Sequence, residues 1–335
     1  MEYLPVIKNL LGQCIAEDKK NIVLIYDAST VNLLSTFEEA LTSLGKSVDA
    51  NRLDVAGCHG SEPTDEVAEK MASCDTIVCL TKYSLAHTAA RKEAESKGVP
   101  FLSMPDYSPE ILDNPAFSVI YKDRYPVVNR YSNMLSDGNQ VHITTPLGTD
   151  LWLDICGRLG NCCPGMTTGH MLLGSPPDIE ANIAPIERAS RGRLIIDGSI
   201  TDYRIGLLEK PIELIIEKGA IVEASELTLD EKGDIIGRDK GAPTVGVLWE
   251  ILEATGDEKS RIIGELGIGF NNKAKLSGNM LIDEGTQGSV HFGFGSNWTI
   301  GGENKVSFHL DFVMMNPTVT IDGQGVIEGG KILFE

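Results

Sequence analysis

Positive charge is scarce in this chain. Lys and Arg number 29 against 48 Asp and Glu, a net charge of −19. A phosphate backbone needs a basic surface, so nucleic acid is excluded as a partner and an anionic membrane surface is disfavoured. No apolar run approaches the roughly 18 residues a spanning helix requires. The opening stretch MEYLPVIKNLLGQ lacks a basic region followed by an apolar core, so no signal peptide is predicted and the expected location is cytoplasmic. No G-x-G-x-x-G follows the first strand and no Walker motif occurs, which argues against a nucleotide site. The cysteines (14, 58, 74, 79, 156, 162, 163) include no C-x-x-C pair. Free, mostly buried thiols are the expectation, and Cys162-Cys163 beside His170 matches no zinc spacing.

A chain of 335 residues that is 42 % hydrophobic has the composition of a globular protein and length for two domains. The first part alternates strand and helix. Ile22–Tyr26, Ser47–Leu53, Asp75–Leu80 and Pro100–Met104 read as strands, the first and third as runs buried on both faces. Apolar spacing at Leu33, Leu34, Phe37, Ala40 and Leu41 predicts a helix stopped by Gly45, and further helices are predicted over 63–73, 81–96 and 118–135. This alternation predicts a doubly wound parallel α/β sheet. Ligands of such sheets gather beyond the carboxyl ends of the strands, where Asp27–Thr30 and Thr81–Thr88 lie.

From Asp137 the pattern changes. Val141–Pro146 and Asp150–Ile155 alternate around Leu147-Gly148-Thr149, an antiparallel hairpin, and glycine-punctuated strands recur to the end. The expected division is an α/β (Rossmann-like) domain at 1–136 and a β-rich α+β metal-binding domain at 137–335. Within the second, Val306–Phe312 alternates so that His309 and Asp311 share one face while Phe308, Leu310 and Phe312 take the other. His291 ends a similar run, with Gly285, Gly288, Gly293, Gly295, Gly301 and Gly302 around it to let backbone approach closely. Imidazole and carboxylate side by side on a rigid strand point to a zinc, iron or cobalt site.

The segments TKYSLAHTAARKEA, TTPLGTDLWLDICGR, IAPIERASRGRLIIDGSI, GELGIGFN, GSVHFGFGSN and HLDFVMMNPTVTIDG, in this order, resemble the thermophilic metallo-aminopeptidases T and S. They resemble more closely the shorter, leucyl-aminopeptidase-like relatives of these enzymes, which share a branch with 2,5-dihydroxypyridine dioxygenase. The resemblance implies a pair of divalent metals (zinc, cobalt or manganese) held by Glu180, Glu265, His291, His309 and Asp311. Glu180 stands in Pro-Asp-Ile-Glu where the family has Pro-x-Gly-Glu. Glu284 reads as a hydrogen-bonded turn residue. The implied reaction is hydrolysis, with metal-activated water attacking an amide of a small molecule or short peptide and a carboxylate such as Glu180 moving the proton. Trp298 replaces the family's oxyanion-stabilising tyrosine; an indole donates a hydrogen bond but does not ionise usefully. Tyr83, Ser84 or His87 is expected to substitute for it across a cleft between the domains. A homodimer is also implied. The alternative is a ring-cleaving dioxygenase with one Fe(II) on His291, His309 and Asp311. Two features count against it: the extra carboxylate Glu265, and Ala189-Ser190-Arg191 where that relative has a further histidine. A metal-binding protein without catalysis is the third reading.

Overall fold

The structure is a computed structural model in which residues 2–55, 59–86 and 88–335 are described. The chain forms two compact units, and the division is discontinuous: Met1–Asp123 with Cys163–Ile179, and Arg124–Cys162 with Glu180–Glu335. The change of unit thus falls inside a helix over Tyr121–Asp137 and not at residue 136. The segment 163–179 returns to the first unit because Leu173–Gly174 supplies a strand to its sheet.

The first unit is built on a five-stranded sheet in the order β2-β1-β3-β4-β8. These strands are β1 (Asn21–Tyr26), β2 (Ser47–Arg52), β3 (Thr76–Leu80), β4 (Phe101–Ser103) and β8 (Leu173–Gly174), and every pairing is parallel. Its helices are α1 (Leu4–Cys14), α2 (Leu34–Ser43), α3 (Asp65–Met71), α4 (Ala89–Ser96) and the short α5 (Pro109–Leu112). Val23, Ile25, Ile77 and Cys79 meet Val67 and Met71 of α3 and Ala94 of α4 in one core. The alternating α/β reading is therefore realised. One boundary moves: α4 begins at Ala89, not at Thr81. Thr88 caps it by accepting the Arg91 N–H, and Ser84 Oγ takes the Ala86 N–H upstream, so local side chains satisfy the amides a longer helix would use.

The second unit opens with the remainder of α6 (Tyr121–Asp137) and contains two sheets. One has nine strands, in the order β15-β14-β13-β10-β6-β5-β19-β20-β21. They are β5 (Gln140–Thr144), β6 (Asp150–Asp154), β10 (Arg191–Ile196), β13 (Ile212–Glu217), β14 (Ala220–Leu229), β15 (Ile235–Asp239), β19 (Thr318–Ile321), β20 (Gln324–Glu328) and β21 (Lys331–Ile332). The predicted β5–β6 hairpin is antiparallel, with Thr144 opposite Asp150.

The other sheet has seven strands in the order β12-β11-β18-β17-β16-β9-β7. They are β7 (Asn161–Cys163), β9 (Glu180–Ile183), β11 (Ser199–Ile200), β12 (Gly206–Leu207), β16 (Leu266–Gly269), β17 (Ser289–Gly295) and β18 (His309–Met315). Two helices accompany the sheets, α7 (Pro243–Glu253) and α8 (Met280–Glu284). Residues 306–308 precede the β18 ladder and do not belong to it.

Register explains the core of this second sheet. Phe292 lies opposite Phe312 and Phe294 opposite Leu310, so all four share a face. All four are buried, and Phe294 and Phe312 meet edge to face at 4.6 Å. Among the described residues, no helix is long and apolar enough to cross a membrane. Cys14 and Cys79 are buried, Cys156 is exposed, and Cys58 lies outside the described residues. Replacing Phe312 by Ala should cost about 3–5 kcal/mol, because the ring's burial is lost and a cavity remains. Urea denaturation followed by near-ultraviolet dichroism checks this. A shift below 1 kcal/mol, roughly an isosteric swap, would show that the ring is not core.

Candidate metal centre

Antiparallel register places a second set of residues on the opposite face of this sheet. Gly295 pairs with His309, Gly293 with Asp311 and His291 with Val313. Gly267 lies opposite both His291 and Asn182, and Gly269 opposite Glu180. Glu265, just before β16, continues the ladder: its N–H donates to the Gly293 carbonyl and its own carbonyl accepts from Gly293. Residues directly across a ladder point the same way. Glu180, Glu265, His291, His309 and Asp311 therefore converge on one face of four adjacent strands.

The intervening glycines make this convergence possible. A Cβ on Gly267 would lie 2.0 Å from His291 Cε1 and 2.8 Å from Glu180 Oε2. One on Gly293 would lie 2.6 Å from His309 Cε1 and 2.9 Å from Glu265 Cβ. Neither distance is tolerable for a side chain, so these positions have room for backbone alone.

The ligand atoms fall into two overlapping groups, Glu180–Glu265–His291 and Glu265–His309–Asp311, each with its atoms within 4.8 Å of one another. Glu265 is common to both. His291 Nε2 is 3.0 Å from Glu180 Oε2, and His309 Nε2 is 3.1 Å from Asp311 Oδ1 and 3.4 Å from Glu265 Oε2. No such group among the described residues contains a cysteine. His309 is 36 % exposed, whereas the other four side chains are buried. Glu284 ends α8, is buried, and shares a side-chain hydrogen bond with Asp311.

Charge balance governs this cluster. Burial opposes a proton on His291, but the Glu180 charge and hydrogen bond, with Asp311 and Glu265, push its pKa up to about 9. Burial likewise opposes charge on His309, yet Asp311 and Glu265 hold its pKa well above the usual value. Burial, reinforced by the Glu180 charge, raises Glu265 despite the His309 hydrogen bond. Asp311 goes the other way: burial disfavours its charge, but His309 outweighs burial and holds the carboxyl far below its ordinary range. Three carboxylates and two imidazoles thus call for positive charge, as protons or as a metal ion. His291 Nδ1 is also buried without a hydrogen-bond partner. Oxygen and nitrogen donors, an orphaned imidazole nitrogen and glycine-cleared space all fit a divalent cation.

The surroundings include residues that the sequence reading missed. Asn182 Nδ2 donates to Glu180 Oε1 at 2.7 Å, and Asn161 Nδ2 donates to Asn182 Oδ1 at 2.9 Å. Asn182 stands two residues after Glu180, the strand period, and that spacing was the available signal. Of the other expected residues, Trp298 lies on a short 3₁₀ turn, 38 % exposed, with Lys305 Nζ 5.3 Å from its ring centroid. Tyr83 stacks edge-on against His59, and Ser84 Oγ pairs with Ser103 Oγ. His87 lies outside the described residues.

The family model for 2,5-dihydroxypyridine 5,6-dioxygenase (NicX) matches residues 3–334. The chain belongs to this family. The solved 2,5-dihydroxypyridine dioxygenase from Pseudomonas putida KT2440 is similar over 99 % of this chain and 96 % of that one, with a TM-score of 0.81 and 18 % identity. Wild-type AmpT from Thermus thermophilus is similar over 99 % of both chains, with a TM-score of 0.66 and 16 % identity. At these identities the two likenesses show a shared fold. No curated protein sequence matches the chain.

The family match corrects the metallohydrolase expectation, and with it the aminopeptidase and metalloprotease reading. Three of the motifs that suggested it, GELGIGFN, GSVHFGFGSN and HLDFVMMNPTVTIDG, lie on the metal-bearing strands β16, β17 and β18, which fix ligands and not the reaction. It also removes the weight placed on Glu265 as an argument against a dioxygenase.

Two outcomes follow from the cluster. A metal ion on Glu265, His309 and Asp311 must displace the proton that His309 holds at neutral pH, so divalent-metal affinity should rise between pH 6.5 and 9, by up to about tenfold per unit. In metal-free protein the raised His291 pKa gives the opposite trend for stability. Its pairing with Glu180 is complete below its unfolded value and is lost as pH rises through about 9. Zinc titrations and melting curves across this range check both signs; flat profiles would contradict the charge assignment. Gly293→Ala should abolish tight zinc binding while leaving far-ultraviolet dichroism intact, since the methyl displaces His309; a variant with wild-type affinity would refute the packing argument.

Proposed function

We propose that this protein is a metal-dependent dioxygenase that opens the ring of a dihydroxylated nitrogen heteroaromatic, with 2,5-dihydroxypyridine the first substrate to try. The observation that carries the reading is the family match over residues 3–334. The oxygen- and nitrogen-rich cluster supports it, being suited to iron(II). His309, Asp311 and Glu265 would hold the ion, one imidazole and two carboxylates that share a single approach. When bound, iron(II) with open positions supplies the chemistry by which a hydroxylated ring and O₂ react.

The chain's own residues do the rest. Asp311 and Glu265 balance the charge on the His309 side, and Glu284 braces Asp311 through its hydrogen bond. His291, with Nε2 3.0 Å from Glu180 Oε2, holds a proton at neutral pH that it can donate during the reaction. Gly267 and Gly293 let the His291 and His309 rings lie directly against backbone, which holds these donors in place.

The test is oxygen uptake by anaerobically iron-loaded protein on addition of 2,5-dihydroxypyridine. One O₂ consumed per ring lost from the aromatic absorbance is expected. His309→Ala and Asp311→Ala should each lower kcat/KM by at least about 100-fold, more than the loss of an outer-shell partner costs. Iron bound stoichiometrically without oxygen uptake on any dihydroxypyridine would sink the reaction and leave only the metal site.

A further inference from the structure

His309 uses its two ring nitrogens in different directions. Nε2 faces Asp311 and Glu265, while Nδ1 lies 2.9 Å from the carbonyl oxygen of Ser296. A carbonyl can only accept, so Nδ1 carries the hydrogen and Nε2 is the atom available to a ligand. Ser296 therefore selects the nitrogen that the site uses. Its own N–H donates to the Phe308 carbonyl at 2.8 Å, which ties the start of the β17–β18 connection to its end.

The next residue anchors this arrangement. Asn297 is fully buried in the connection. Its Nδ2 donates to Glu187 Oε1 at 2.8 Å, and its Oδ1 accepts from the Asn304 N–H at 2.8 Å. Glu187 Oε1 also accepts from the Glu303 N–H at 2.7 Å, and its Oε2 is paired with Arg158 Nη2 at 2.6 Å. Arg158 Nη1 in turn donates to the Gly301 carbonyl. A Cβ on Gly302 would come within 2.2 Å of the Asn297 amide, so the backbone itself closes over this side chain. A fully satisfied polar network of this kind holds one geometry, because breaking any member strands a buried polar group. The link from this network to the metal centre runs through Ser296, whose carbonyl meets His309 Nδ1.

We propose that Asn297 and Glu187 are positioning residues: together they fix the Ser296 carbonyl and, through it, the tautomer and ring orientation of His309. This rests on the cluster being a metal site and is independent of the reaction the metal serves.

The experiment uses the whole chain with zinc as the probe. Affinity is measured by competition with a chromophoric chelator, and His309 is followed in nitrogen-15 spectra of histidine-labelled protein. In the wild type, His309 Nδ1 should carry a slowly exchanging proton and zinc should shift Nε2. Asn297→Asp keeps the acceptor for Asn304 but sets a carboxylate against Glu187. It should weaken zinc binding roughly 10–100-fold, as loss of outer-shell partners does, and speed exchange of the Nδ1 proton. Adding Glu187→Gln removes the repulsion and lets the Gln amide donate to the new carboxylate, at the expense of the Glu303 N–H, and should recover part of both readouts. Glu187→Gln alone keeps shape and acceptor, and covers the case in which Asn297→Asp fails to fold; it should show a smaller loss in the same direction. The proposal is overturned if the variants lower only the melting temperature while affinity and the Nδ1 signal stay wild-type. It is equally overturned if the double variant regains stability without affinity. A wild-type chain that binds no zinc removes it together with the metal reading.

Discussion

The second unit is organised by a conflict of charge. Three carboxylates on neighbouring strands repel one another, and burial raises the cost of each charge. Two imidazoles placed among them make the arrangement tenable, as the lifted pKa values of His291 and His309 record. Such a cluster needs donors at close range, and close range on a sheet face needs missing side chains. Gly267 and Gly293 meet that need, since a methyl at either would overlap an imidazole. The opposite face supplies rigidity: Phe292, Phe294 and Phe312 are fixed in a dry core, and because side chains alternate, fixing one face fixes the other.

This alternation also explains what could be read from the sequence. His309 and Asp311 sit in a visibly alternating run, so their common face followed from period two alone, whereas that of His291 needed the β17–β18 register. Glu265 and Glu180 do not sit in such runs, for Glu265 precedes its strand and the β9 run Glu180–Ile183 is buried throughout, without polar alternation. They were found by likeness of motif, and the structure brings them to the same face. The parallel sheet of the first unit was legible because strands buried on both faces read as continuous apolar runs. The return of 163–179 to that unit was not, because β8 is two residues long and leaves no periodic trace. Asn297 and Glu187 carried no signal either, being fixed by partners distant in sequence.

Ligand sets and reactions are separable properties of such a fold. Here the ligand strands are β9, β16, β17 and β18, with every donor supplied by backbone register, while Trp298 and Lys305 stand on the irregular connection between β17 and β18. Strands in a paired sheet tolerate little change, because a one-residue slip would turn the donors into the core. A connection tolerates much more. A chain can therefore keep the ligand strands of one chemistry while its loops serve another, and a likeness that includes those strands led to an amide hydrolase where the family is that of 2,5-dihydroxypyridine 5,6-dioxygenase.

The same separation gives the polar network of the β17–β18 connection its physical sense. A loop free to vary endangers any ligand that depends on it, and His309 depends on Ser296 for its tautomer. Asn297, Glu187 and Arg158 bind the connection at Gly301, Glu303 and Asn304 and so fix the backbone on either side of Trp298. Trp298, between these fixed points, is exposed. A ligand of the metal-bearing face and an exposed side chain can stand within a few residues of each other because a buried amide and an ion pair hold the backbone between them.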